Sequence, residues 1–290
     1  MGQNSHATPP AATPAEIQAA LESDDPARRR EALQQFQRLL DTDRDAALDL
    51  VDSVGDCLGD ESLAVCHAAA RSLEPVVTDS PELLVDHLEA VVEMLAAETS
   101  DVSLAGAKLL SVMAVECPGA LVTHADRLRE ILVEAQFPTE DTEIPDTIET
   151  RKTREIVQNV QQEDAERRQF VRQTLANVLV AVVESEPDTF EDVAGLEGLL
   201  EDEDAVVVGA IVDALGVIAK SRPGVVRPTV PSLLDCLDHE TPTVRARTIR
   251  TLGYVGDSSA VEPLRERGAV DTDEDVADLA TETAAFLEET

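Results

Sequence analysis

Residues 244–252, VRARTIRTL, decide the fold, because Val244, Thr248 and Leu252 lie four residues apart and therefore on one stripe of a helix. The same spacing recurs at five other places in the 290-residue chain. The copies end at Phe36, Leu73, Leu110, Leu179, Leu215 and Leu252, at intervals of 37, 37, 69, 36 and 37 residues. A period of about 37 residues predicts stacked supersecondary units that bury their apolar faces against one another.

The two earlier positions of the stripe are mostly aliphatic or small. Eight residues before the markers stand Arg28, Val65, Val102, Val171, Val207 and Val244, and four residues before them stand Ala32, Ala69, Gly106, Leu175, Ile211 and Thr248. Such residues suit helices that cross closely. The first copy departs from this pattern at Arg28, where valine is usual, and the third has Gly106 where alanine is usual.

A second marker follows the first in four copies. Eight residues after the apolar marker stand Pro81, Pro118, Pro187 and Pro223, and three residues later come Leu84, Leu121, Phe190 and Val226. Proline is tolerated in the first turn of a helix, where its missing N–H would be unpaired anyway. Each unit is therefore predicted as a helix, a short turn and a second, amphipathic helix that begins at the proline.

The last unit is shorter. Residues 261–267 form its predicted second helix, and Val276, Ala280 and Ala284 mark a final helix. A shortened terminal unit with a polar outer face is what a repeat array needs as a cap.

These patterns resemble a known repeat family. Residues 25–32, DPARRREA, resemble the opening of a HEAT repeat, and residues 244–257, VRARTIRTLGYVGD, are similar to the shorter, phycobilin-lyase-type HEAT repeat. The resemblance covers residues 14–288 apart from one insertion. It implies an all-α, right-handed superhelical α-solenoid of about six helix pairs plus a terminal cap helix.

The charge is strongly negative: 59 acidic against 23 basic residues give a formal net charge of −36, and three of the basic residues are lysines. Acidic excess with few lysines resembles halophilic archaeal proteins, so we expect a cytoplasm that holds molar salt. In such salt the Debye length is about 3 Å, and the charge serves solubility rather than long-range steering. An acidic surface also argues against direct binding of nucleic acid.

The cysteines agree with an intracellular protein. Cys57, Cys66, Cys117 and Cys236 lack metal-site spacing and are expected to be buried free thiols. The sequence contains no apolar run of 18 residues, so no membrane span is predicted.

Residues 1–14 are predicted to be a disordered tail, and residues 15–21 a helix that covers the first repeat. The predicted segments are then repeats at 15–136, an inserted linker with a basic helix at 137–165, and repeats with the cap at 166–290.

The single long interval, 69 residues, locates the insertion. Pro138 and Pro145 in an acidic run predict an extended linker, whereas residues 147–186 contain neither glycine nor proline and predict a helix that continues into the fourth unit. The helix carries Arg151, Lys152, Arg154, Arg167, Arg168 and Arg172. These residues either pair with the protein's own carboxylates or bind an acidic partner. The candidate partner-binding residues are Arg151, Lys152, Arg154, Arg167, Arg168, Arg127, Arg129 and Arg227.

Residue patterns typical of catalysis are not found. The five histidines are scattered, and His239-Glu240 is a single dyad, whereas a HEAT-like hydroxylase that binds two irons needs several. We therefore expect no catalytic residues, no cofactor and no metal. The sequence favours a non-enzymatic scaffold or adaptor, monomeric when alone, that binds a protein partner in signalling, taxis or another multiprotein complex. The alternatives are a chromosome-associated subunit of an ATPase complex and a lyase- or hydroxylase-like HEAT enzyme.

Overall fold

A computed structural model describes residues 12–134, 151–188, 190 and 193–289, with side chains in the long helix described from residue 156 onward. Within these residues, every regular element is an α-helix or a 3₁₀-helix, which confirms the predicted all-α solenoid class. The chain divides into two compact units, Met1–Val112 and Met113–Thr290. Each unit is a stack of helix pairs.

The first unit contains the opening helices and part of a helix that crosses the unit boundary. These are α1 (Pro14–Leu21), α2 (Pro26–Thr42), α3 (Arg44–Leu48), α4 (Val51–Asp56), α5 (Leu63–Asp79), α6 (Leu88–Leu95) and the start of α7 (Ser100–Glu116). Helix α1 begins with a capping box, in which Thr13 and Glu16 each bind the other's backbone N–H. It buries Ile17 and Leu21, as expected for a helix that covers the first repeat.

The second unit continues the pattern after α7. Its helices are α8 (Ala125–Glu134), α9 (Arg151–Ser185), α10 (Ala194–Glu197), α11 (Ala205–Ser221), α12 (Pro223–Val226), α13 (Val230–Asp235), α14 (Pro242–Val255), α15 (Val261–Val270) and α16 (Glu274–Glu289). Helix α14 is capped by Gly256, whose φ of 70° favours glycine. Helix α15 is the predicted second helix of the last unit, and α16 is the predicted cap helix, in which Val276, Ala280 and Ala284 are buried as expected.

The register of the repeats is confirmed by burial. All six markers, Phe36, Leu73, Leu110, Leu179, Leu215 and Leu252, have 0% of their surface exposed. The positions four residues earlier are buried in every copy, including Gly106 and Thr248. The positions eight residues earlier are buried except in the first copy, where Arg28 is exposed.

The second helices differ from the prediction. Pro81 and Pro118 each begin a 3₁₀-helix, Pro81–His87 and Pro118–His124, and α-helix follows only at Leu88 and Ala125. The cause is an i→i+3 hydrogen bond, as from the Leu83 N–H to the Ser80 carbonyl oxygen at 3.2 Å. Pro187 begins no helix; it lies in a turn, and the next described helix begins at Ala194. The spacing of apolar residues does not distinguish a 3₁₀-helix from an α-helix over the seven residues of each segment.

The insertion leads into one long helix. Helix α9 has 35 residues, whereas the first helices α2, α5, α7 and α11 have 17 each. The predicted helix without glycine or proline is thus confirmed over Arg151–Ser185. Most of the predicted linker and most of the predicted tail lie outside the described residues, and the segment boundaries stay predictions.

Candidate protein-interaction site

The feature that distinguishes α9 is its first half, residues 151–168, which we call the α9 extension. It corresponds to the 18 residues by which the 35-residue α9 exceeds the 17-residue first helices, or about 27 Å of helix. None of residues 156–168 is buried, whereas Val171, Leu175 and Leu179 in the second half are buried. Residues 156–168 therefore form a surface element, joined without a break to the core of a repeat.

Large apolar side chains are exposed along α9. Ile156, Val160 and Phe170 have 54%, 60% and 44% of their surface exposed. Together with Glu163 and Arg167 they are spaced by four, three, four and three residues, which places all five on one narrow stripe of the helix. We call these five residues the α9 seam. Exposed apolar residues that share one helix face are typical of interaction surfaces.

Ion pairs support the helical conformation of the extension. Arg167 Nη2 lies 3.6 Å from Glu163 Oε2, and Arg168 Nε donates to Asp164 Oδ2 at 2.8 Å. Both pairs are separated by four residues, and exposed pairs of this kind contribute about 0.3–0.5 kcal/mol each. These ion pairs stabilise a stretch of helix in which none of residues 156–168 is buried.

The candidate basic residues of the extension fall into two groups. Arg167 and Arg168 pair with carboxylates of their own helix, as the charge-balancing interpretation expects. Arg151, Lys152 and Arg154 lie in the first turn of α9, but their side chains lie outside the described residues. Their role in partner binding stays a prediction.

Arg127 and Arg129 lie on α8, which packs against α9. Arg127 Nη1 is 3.5 Å from Glu130, and Arg129 Nη2 is 3.0 Å from Asp126. The Arg129 guanidinium also lies 5.6 Å from the centre of the Phe190 ring. A Cβ atom added at Gly195 would come within 2.9 Å of Arg129 Nη1, so Arg129 takes part in packing between repeats.

Arg227 lies elsewhere in the second unit, in the 3₁₀-helix Arg227–Thr229. Its Nε is 3.4 Å from Asp257 Oδ2. Hydrogen bonds from Ser259 and the nearby Arg227 charge hold the pKa of Asp257 below its usual value. The described contact of Arg227 thus joins two repeats and does not involve the α9 extension.

The sequence analysis missed a recurring arginine–aspartate pair. Arg29, Arg172 and Arg245 each lie seven residues before a marker, and they bind Asp60, Asp202 and Asp271 in the loop that follows the same helix pair. Each aspartate also accepts a hydrogen bond from the backbone N–H two residues later, at Ser62, Asp204 and Asp273. The sequence does show arginine at the same repeat position, seven residues before the marker, in three of the six copies. These pairs fix the loops between repeats.

Side chains that could support metal or thiol chemistry are dispersed over the described residues. Among them, no group of three or more His, Cys, Asp or Glu side chains is arranged to hold a metal ion. Cys57, Cys66 and Cys236 are free and buried, and Cys117 is free and partly exposed. In the same part of the chain, no helix combines the length and the apolar character needed to cross a membrane.

Comparisons with known proteins agree with this architecture. Residues 193–285 match the sequence profile of the family described as HEAT repeats. No curated protein matches the sequence significantly. Two crystal structures of engineered proteins from the Northeast Structural Genomics Consortium share the fold. The first has a TM-score of 0.55 and 18% identity over 82% of this chain and 96% of the engineered chain.

The second engineered protein has a TM-score of 0.51 and 19% identity over 84% of this chain and 98% of its own. At such identities the likeness concerns the fold alone. The family match thus covers residues 193–285, and the shared fold agrees with an all-α solenoid.

Proposed function

We propose that this protein is a non-enzymatic scaffold that binds a protein partner through the α9 seam. The observation that carries the proposal is the exposure of Ile156, Val160 and Phe170 on one stripe of α9. HEAT-like arrays use stacked repeats as rigid supports for extended binding surfaces. Here the second unit supports a helix whose first half has no buried residue among the described side chains 156–168.

Apolar contact is the main source of affinity in this proposal. Burying one Val, Ile or Phe side chain contributes about 1.5–3 kcal/mol before the costs of association. Arg167 within the seam and Arg168 beside it add polar contacts, and we propose the same role for Arg151, Lys152 and Arg154. Arg127, Arg129 and Arg227 are proposed as further contacts of lesser weight, since Arg129 and Arg227 also join repeats.

The finer setting is part of the proposal. We place the protein in a cytoplasm of high salt, in signalling, taxis or another multiprotein complex, without direct contact to nucleic acid or membrane. Its acidic excess, a formal −36, supports this setting. Because salt screens exposed ion pairs, an apolar seam is the more robust binding surface there.

The test compares two surface variants as baits in lysate of the source organism at molar KCl. Ile156→Glu with Val160→Glu removes the apolar stripe, and Val115→Glu changes an apolar residue that is 76% exposed on another helix. We expect cross-linking and mass spectrometry to find proteins, including this chain itself, that are captured by the native bait and the Val115 variant. The seam variant should capture them at least about tenfold less well. Equal capture by all three baits would refute the proposal.

A further inference from the structure

The α9 seam has the spacing of a coiled-coil interface. Ile156, Val160, Glu163, Arg167 and Phe170 follow one another at intervals of four, three, four and three residues. This alternation is the a/d pattern of a heptad repeat, which places one narrow stripe against a second helix. Such a stripe is an interface for another helix rather than for a flat surface.

We propose that the partner of the α9 seam is the α9 seam of a second copy of this chain, in antiparallel orientation. This inference rests on the proposed function and names the partner of the same site. In the proposed register, Val160 lies opposite Phe170 of the second copy. Glu163 then lies opposite Arg167 of the second copy, and the two-fold symmetry repeats both contacts.

The charges on the seam select this arrangement. A parallel pair in register would place Glu163 against Glu163 and Arg167 against Arg167, and like charges that face each other in an interface suppress association. The antiparallel register pairs opposite charges and apolar side chains at the same time. Arg167 already lies 3.6 Å from Glu163 of its own helix, so the dimer would extend this pair into a network of four charges.

The size of the interface predicts its strength. In the proposed register the two seams overlap over residues 160–170, about 16 Å of helix at 1.5 Å per residue, and Ile156 lies beyond the overlap. A contact of one short helix pair falls below the roughly 1,200 Å² that stable complexes bury. The dimer is therefore weak and reversible. The monomer expected from the sequence is the form present at low protein concentration. The interface closes on itself because it is isologous, so association stops at two copies.

Sedimentation velocity of the full chain in molar KCl tests the proposal. The native protein should rise from its 31.1 kDa monomer toward twice that mass as its concentration increases. Glu163→Arg alone and Arg167→Glu alone place like charges opposite each other and should weaken self-association at least about tenfold. Ala165→Arg, on the opposite side of α9, is the charge control and should associate like the native chain.

Mixing the two single charge variants gives the sharpest outcome. In each mixed pair, one contact joins the two native side chains, Glu163 and Arg167, and the other joins the two substituted side chains, whose charges are also opposite. A heterodimer should therefore form more readily than either variant associates with itself. A Val160→Cys chain mixed with a Phe170→Cys chain should give an intermolecular disulfide in this register. Circular dichroism of each variant checks that the helices remain.

Two results would overturn the inference: a native chain that stays monomeric at every concentration, or a mixture of the charge variants that does not associate. The proposed function fails on different evidence. If the chain is monomeric but Ile156→Glu with Val160→Glu loses capture of another protein, the seam binds a different partner. The proposed function then stands and this inference falls.

Discussion

Arg245 holds Asp271 with two hydrogen bonds, from Nη2 at 2.6 Å and from Nε at 2.8 Å. The two side chains have 7% and 0% of their surface exposed. Arg245 Nη1 also donates to the carbonyl oxygens of His239 and Glu240, at 2.9 and 3.1 Å. One guanidinium thus ties the loop before α14 to the loop before α16.

Replacing Asp271 by Asn should destabilise the protein by about 1–3 kcal/mol, because Arg245 would lose its charged partner in a place with little access to water. The measurement is urea unfolding followed by circular dichroism at neutral pH. Asp278→Asn, which also removes one charge but on an exposed site of α16, is the control. Equal free energies of unfolding for both variants would contradict a structural role of the pair.

The same pair predicts a pH dependence. The hydrogen bond from Arg245 holds the pKa of Asp271 below its usual value, against the opposing effect of burial. A carboxyl with a lowered folded-state pKa stabilises the fold above its unfolded pKa of about 4, and this contribution is lost as pH falls through the folded value. The native chain should therefore exceed Asp271→Asn in stability at neutral pH. The gap should close below about pH 4 in urea titrations, and a gap that is constant with pH would disagree.

The four cysteines should differ in their rates of alkylation. Burial raises the pKa of Cys57 and of Cys236 to about 11, and burial also raises the pKa of Cys66. Thiolates are the reactive form, so these three should alkylate slowly at about pH 8 in the folded protein. Cys117 is partly exposed and should react first. Mass spectrometry after short iodoacetamide treatment reads the order, and unfolding in urea should make all four react.

Salt tests the interpretation of the acidic composition. With a formal charge of −36, repulsion between carboxylates acts over about 30 Å at 0.01 M salt but only about 3 Å at 1 M. Helicity and the melting temperature should therefore be markedly lower without added salt than in molar KCl. Circular dichroism melts at several KCl concentrations measure this. Identical melts would remove the support for a high-salt cytoplasm.

The helical repeat could be predicted because burial imposes it at every copy. In each of the six copies, the apolar residue at the same repeat position packs where helices cross. Leu73 and Leu215, for example, have 0% of their surface exposed. The position of the second helices was less predictable. Their start depends on hydrogen bonds such as Leu83 N–H to Ser80, which leave no periodic trace in the sequence.

The sequence locates the α9 extension but not its exposed apolar side chains. The break in the period led to the insertion and to Arg167 and Arg168 on α9, but the emphasis on charge overlooked Ile156, Val160 and Phe170. Exposure of Ile156 and Val160 follows from the length of α9 relative to the other first helices, which a repeat count alone does not give. The arginine–aspartate pairs were missed because each partner lies 26 to 31 residues from the other.

Glycine substitutions test how closely the helices of the first unit cross. A Cβ atom at Gly106 of α7 would lie 2.9 Å from Met94 Cβ and 3.2 Å from the Val91 carbonyl oxygen of α6, whereas at Gly198 it would meet nothing within 4 Å. Gly106→Ala should therefore destabilise by about 1–3 kcal/mol, although alanine favours helix, because α6 and α7 must separate. Gly198→Ala, at an ordinary φ of −63°, should stabilise by about 0.4–1 kcal/mol by restricting the unfolded chain. Thermal melts of both variants measure the two signs, and a stabilised Gly106→Ala would show that the crossing has room for a methyl group.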